Sequence, residues 1–132
     1  MNSFNNVKEA LEKSWCLETA YPGEREYWIP EKSSRGQCTV TSMVLFDYFG
    51  GKIIRGYSKK YNIYHYWNII DGVKIDLTFS QFIPDKADIK FDKVVEKNKK
   101  DLLRIKNVCA RYQLLKTKVS DILIRNELSS VH

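Results

Sequence analysis

HYWNIIDGVKIDLTFSQF, residues 65–82, holds two β-type segments around one turn signal. Aromatic and β-branched residues fill the arms, Ile63–Ile70 and Val73–Phe79, and Asp71-Gly72 between them favours a hairpin. With a two-residue loop, Ile70 pairs with Val73, Trp67 faces Asp76 and His65 faces Thr78. Side chains alternate across a strand, so His65, Trp67, Ile69, Lys74, Asp76 and Thr78 share one face. Tyr64, Tyr66, Ile70, Val73, Ile75, Leu77 and Phe79 share the other, which reads as core. Asn68 is the polar exception there, and it is expected to satisfy buried backbone groups. His65 and Asp76 become diagonal neighbours, about 7–8 Å apart at the backbone and within reach of a side-chain contact. Thr78 stands three residues before Gln81, the spacing of a capped helical turn that Pro84 stops.

Upstream, SRGQCTVTSMVLFDYFGG (residues 34–51) places Cys38 behind a small polar run and ahead of an apolar helical pattern. Thr39–Phe49 reads as a helix stopped by Gly50-Gly51, followed by a strand over Lys52–Tyr57. A thiol at a helix N-terminus meets free backbone N–H groups and a partial positive charge. Its pKa can fall to somewhere in the range ~3.5–7.5, further favoured by an imidazolium. The same N–H groups can hold the oxyanion of a tetrahedral intermediate, and Gly36 lets a carbonyl approach the backbone. An aspartate accepting from one imidazole nitrogen fixes the tautomer and frees the other nitrogen as a base. Cys38, His65 and Asp76 therefore supply a nucleophile, a base and its orienting acid.

Phe4–Trp15 reads as a first helix, with Val7, Ala10, Leu11 and Trp15 on one face. Leu17–Gly36 reads as irregular, pinned by Tyr27 and Trp28. After a charged connector, Asn98–Asn126 reads as one long helix with Leu102, Ile105, Cys109, Tyr112, Leu115, Val119 and Ile122 as its apolar stripe. Cys16 and Cys109 read as packing residues, and His132, the last residue, as a disordered end.

At 132 residues, with 43% hydrophobic and 13% aromatic content, the chain is expected to fold as one globular domain over residues 1–132. No apolar run reaches membrane-spanning length, and the N-terminal stretch lacks the basic and apolar regions of a signal peptide. Three widely spaced cysteines without a CxxC pair argue against a zinc site or disulfide framework, and for a reducing cytoplasm. No metal or cofactor is expected. The net charge is +6, and Lys86–Lys118 holds eleven Lys/Arg against four Asp/Glu. No nucleic-acid motif accompanies this charge, so it reads first as a solvated helix face. The competing function is a non-catalytic module that uses the Lys86–Lys118 surface for an acidic partner. Such binding weakens steeply with salt and ignores alkylation of Cys38.

SRGQCTVTSMVLFDYFGG, HYWNIIDGVKIDLTFSQF and RYQLLKTKV together resemble the bacterial YunG-like family, from about Tyr21 to Val119. What the resemblance implies is an α+β domain of papain-like or transglutaminase-like type. N-terminal helices, one carrying the nucleophile, would pack on a small antiparallel sheet, with a long C-terminal helix. The family's inferred Cys-His-Asp set falls on Cys38, His65 and Asp76, and Gln37, Trp67 and Asn68 also match. Gln37 is a candidate oxyanion donor and Trp67 a candidate wall of the site. The implied chemistry is thiolate attack on an amide or other acyl carbon of a peptide, protein or small molecule. Peptidase, amidase, deamidase and acyltransferase activity share these parts.

Overall fold

The computed structural model describes residues 2–130, so His132 lies outside the described residues. The architecture is α+β. Helix α1 spans Phe4–Ser14 and α2 spans Cys38–Phe49. Strands β1 (Lys52–Ser58), β2 (Ile63–Ile70), β3 (Val73–Ile75) and β4 (Lys93–Lys97) form one antiparallel sheet in the order β3-β2-β1-β4. A short helix, α3 (Lys99–Leu102), precedes the long α4 (Val108–Ser130).

Each element has a local cause. The Ser3 side chain accepts from the Asn6 N–H and caps α1. The Gly50 N–H returns to the Phe46 carbonyl at 2.8 Å and ends α2. Val7, Leu11, Val40, Met43, Val44, Ile53, Tyr66, Ile70, Tyr112, Leu115 and Val119 form one core between the helices and one sheet face. Two buried side-chain bonds fix α2 within it. The Trp15 indole N–H donates to Thr41 Oγ1 at 2.9 Å, and Asn68 Nδ2 donates to the Ser42 carbonyl at 2.9 Å. Asn68 thus satisfies a buried backbone group on the core face.

The hairpin pairs Ile70 with Val73, Ile69 with Lys74 and Asn68 with Ile75. The third strand was expected to run to Phe79, yet it stops at Ile75. Asp76 turns away to meet a side chain, and the chain enters a 3-10 turn over Phe79–Phe82. Thr78 precedes that turn but gives it no side-chain cap. Leu17–Gly36 is not featureless either. It holds three 3-10 turns, Leu17–Thr19, Pro22–Tyr27 and Pro30–Lys32. Trp28 anchors this segment through its indole N–H to the Ser33 carbonyl, whereas Tyr27 is 56% exposed and carries the Arg35 guanidinium on its ring.

The charged connector contains an unexpected edge strand, β4. Val94 and Val95 are both exposed and lysines flank them, so no alternation marks it. Flanking lysines also discourage further strand pairing. The predicted helix over Asn98–Asn126 is broken. Asn98 caps α3 by accepting from the Lys100 N–H, and Asn107 adopts φ 71° before α4 begins. Asparagine tolerates that conformation better than most residues. The break turns the stripe: Val108, Tyr112, Leu115, Val119 and Leu123 are buried, while Ile105 and Cys109 are exposed. Cys109 is therefore not a packing residue.

Candidate active site

Cys38 is the first residue of α2, behind Gln37 as its N-cap. The first N–H groups of a helix have no partner four residues back, and Gln37 supplies no side-chain cap. The early end of β3 decides what Cys38 meets. Beyond Asn68 the β2 edge is no longer covered by β3. There the Cys38 sulfur sits close to the Tyr66 backbone N–H, His65 and the Thr39 hydroxyl, all of which favour its thiolate.

His65 is fully buried, and its Nε2 stands 2.8 Å from Asp76 Oδ2. The face that carries it is no half-exposed sheet surface. Phe82 packs edge-on at 4.8 Å, Phe91 stacks at 5.6 Å and Trp67 lies 6.0 Å away. Gly56 pairs with His65 on β1 and makes this plate possible. A Cβ at Gly56 would stand 2.6 Å from the Trp67 ring and 2.7 Å from Phe91.

Gln81 completes the polar set, a role that its place in a helical turn of the sequence does not reveal. The Gly36 N–H donates to Gln81 Oε1 at 3.4 Å, which orients the amide and leaves Nε2 3.5 Å from His65 Nδ1. The 3-10 turn that carries Gln81 is tied to the upstream loop by a 2.9 Å bond between Ser80 and Ser34. Gly36 is held by packing as much as by the site. Its φ is 74°, and a Cβ there would meet the Tyr21 nitrogen at 2.9 Å.

Two expected site residues stand elsewhere. Gln37 is fully buried and its Nε2 donates to the Cys16 carbonyl at 3.0 Å, so it braces the preceding loop rather than facing the cleft. Its position next to the cysteine places it at the cap, where the chain turns its side chain inward. Trp67 is also buried, between Phe91 and the Lys74 ammonium, behind His65 rather than as a wall of the opening.

The electrostatics follow from this packing. Burial would raise the Cys38 thiol, but the hydrogen bond to His65, the imidazolium charge and the Tyr66 N–H outweigh it and hold the thiol below its ordinary value. Burial likewise opposes the charged form of His65, yet its bonds to Asp76 and Cys38 raise it to about 9. Both directions favour a thiolate–imidazolium pair at neutral pH. Cys38, with His65 buried behind it, lines a cavity of about 480 Å³ together with Gly36, Tyr66, Gln81, Phe82 and Arg111, among others.

Three of the basic residues in Lys86–Lys118 are engaged within the fold. Lys99 and Lys116 are paired with Asp47, and Arg111 is buried. Among the described residues, no cluster of three or more His, Cys, Asp or Glu could hold a metal ion, and no helix is long and apolar enough to cross a membrane.

A family model described as "YunG protein" matches residues 3–124. The uncharacterized protein YunG of Bacillus subtilis (strain 168) is 36% identical over 77 residues, which cover 58% of this chain and 61% of that relative. The match thus spans less than two thirds of the relative's length. No solved structure matches the chain. The family match covers nearly the whole sequence, and the chain belongs to the YunG family.

Proposed function

We propose that this YunG-family chain is a thiol enzyme that attacks an amide or other acyl carbon through Cys38. The observation that carries the proposal is the placement in series of Asp76, His65 and Cys38, with Asp76 2.8 Å from the imidazole and Cys38 on the wall of a cavity. Cysteine on a helix, histidine on a strand and an acid just after the next strand is also the order of papain-like and transglutaminase-like thiol proteins. The proposal includes a fold relationship to them.

In the proposed reaction the Cys38 thiolate bonds to the acyl carbon, and the carbonyl π pair moves to oxygen. The N–H groups of the first α2 turn and Gln81 Nε2 are the donors available to that oxyanion. His65 gives its proton to the leaving amine as the carbon–nitrogen bond breaks, leaving a thioester on Cys38. Neutral His65 then takes a proton from water or an acceptor amine, which attacks the thioester; the carbon–sulfur bond breaks and the Cys38 thiolate leaves, which restores the thiolate–imidazolium pair. Asp76 holds the imidazole through Nε2 at both stages. Peptidase, amidase, deamidase and acyltransferase outcomes differ only in the acceptor and in what fills the cavity.

Profiling with electrophilic acyl probes at neutral pH tests this without a known substrate. Wild-type protein should be labelled at Cys38, and Cys38→Ala should not be labelled. Labelling that is equal in the two proteins, or confined to Cys16 or Cys109, would remove the thiol enzyme reading.

A further inference from the structure

We propose that the Cys38 cavity selects an anionic substrate, one with a carboxylate close to the reacting acyl carbon, and that Arg111 binds that group. The inference rests on the thiol reading of Cys38 and names its substrate class.

Arg111 projects from α4 into the same cavity as Cys38 and is only 4% exposed. Its Nε–H donates to the Thr19 carbonyl and its Nη2–H to the Gly36 carbonyl, both at 3.0 Å. Among the described residues it makes no ion pair. An arginine at this depth normally faces a carboxylate, because burying an unpaired charge costs several kcal/mol. Two carbonyls could be satisfied by a neutral amide. The Cys38 thiolate supplies one negative charge nearby but is consumed when it bonds to the acyl carbon, so an anion carried by the substrate is the partner that stays with Arg111 through the reaction. A guanidinium held by Nε and Nη2 keeps its remaining N–H groups for such a ligand, with the forked geometry that suits a carboxylate.

The surroundings agree in sign. Arg35, Lys86 and Lys106 also line the cavity, against the single acid Glu24, which is already paired with Arg35 at 2.9 Å. Lys106 and Lys86 make no ion pair among the described residues. The Gly36 carbonyl that holds Arg111 belongs to the residue whose N–H orients Gln81. One backbone unit therefore couples the anion site to the reaction centre, and the substrate charge is expected within a few bonds of the scissile group.

Iodoacetate and iodoacetamide differ only in a carboxylate beside the reacting carbon, so their rates at one thiol read the preference directly. Their ratio cancels the thiolate fraction, and exposed Cys109 in the same molecule is the reference. At Cys38 the iodoacetate/iodoacetamide ratio should exceed that at Cys109 by about tenfold, the worth of one charge-assisted contact. Arg111→Gln should remove most of this excess, and Lys86→Gln with Lys106→Gln part of it. If Arg111→Gln fails to fold, protection of wild-type Cys38 from iodoacetamide by acetate, absent with chloride at equal ionic strength, reads the same site. An equal ratio at Cys38 and Cys109 overturns the inference. So does an excess unchanged in folded Arg111→Gln, which would assign it to the His65 imidazolium, or, where that variant does not fold, absence of acetate protection. A Cys38 that reacts no faster than Cys109 with iodoacetamide refutes the thiol reading instead, so the two failures are distinguishable.

Discussion

Asp76→Asn separates the charge of Asp76 from its shape. Asparagine keeps the size of the side chain and can still accept the Nε2–H of His65, but the bond is no longer charge-assisted. His65 is raised from 6.5 to about 9, a preference for the imidazolium of roughly 3 kcal/mol. Burial opposes that preference, and the bond to Asp76 is the largest contribution in its favour. Exchanging an ionic hydrogen bond for a neutral one loses about 1–2 kcal/mol, a factor of roughly 5–30 in the imidazolium equilibrium. Since His65 also holds the thiol down, the acid limb of Cys38 alkylation by iodoacetamide should move up by about one pH unit. The melting temperature should fall by only a few degrees. Turnover of an acyl probe should drop by about ten- to a thousandfold, less than in a serine triad because a thiol is partly ionised near neutrality. A folded Asp76→Asn protein with the wild-type acid limb and full turnover would show that Asp76 does not set the pair. Loss of turnover strictly in step with loss of folded protein would make its role structural.

Native Cys38 should alkylate with iodoacetamide at pH 6.5 at least about tenfold faster than Cys109, despite the greater exposure of Cys109, because reactivity follows thiolate fraction; peptide mapping after a short pulse checks this. Gln81→Ala should cost about a hundredfold in acyl-probe turnover while leaving Cys38 alkylation near wild type, and Gln37→Ala should cost about 1–3 kcal/mol of stability with turnover per folded molecule retained. The reverse pattern would return Gln37 to the reaction centre. Gly56→Ala should destabilise by about 1–3 kcal/mol in urea titrations, since its methyl group would overlap Trp67 and Phe91; an unchanged midpoint would mean the plate behind His65 yields freely. The raised imidazole contributes stability that is fully present below pH 6.5 and lost as pH rises through about 9. The stability gap between wild type and Asp76→Asn should therefore close over that window, and a constant gap from pH 6 to 9.5 would assign it to packing.

The hairpin was legible in the sequence because its information is local. Asp71-Gly72 fixes the loop, and with it the pairs Ile70–Val73, Ile69–Lys74 and Asn68–Ile75; Asp76 lies just past the last pair and reaches His65 as the chain leaves the strand. The helix behind Cys38 was legible for the same reason, with its apolar run and its glycine stop. Alternation says which side chains share a face, but not whether another part of the chain covers that face. Only tertiary packing brought Phe82 and Phe91 over His65 and buried it fully. Adjacency in sequence likewise suggested Gln37 for the cleft. The turn into α2 sends that side chain inward, and Gln81, forty-four residues away from it, takes the position beside the imidazole. The stripe of α4 misplaced Cys109 because periodic spacing carries no record of a break, and Asn107 rotates the helix by its own backbone. Arg111 lay one position from the predicted stripe and inside a basic run, where charge count reads as solvation. Its burial beside Cys38 comes from the carbonyls of Thr19 and Gly36, some ninety and seventy-five residues upstream, and contacts across that separation are set by how the elements pack, not by any local pattern.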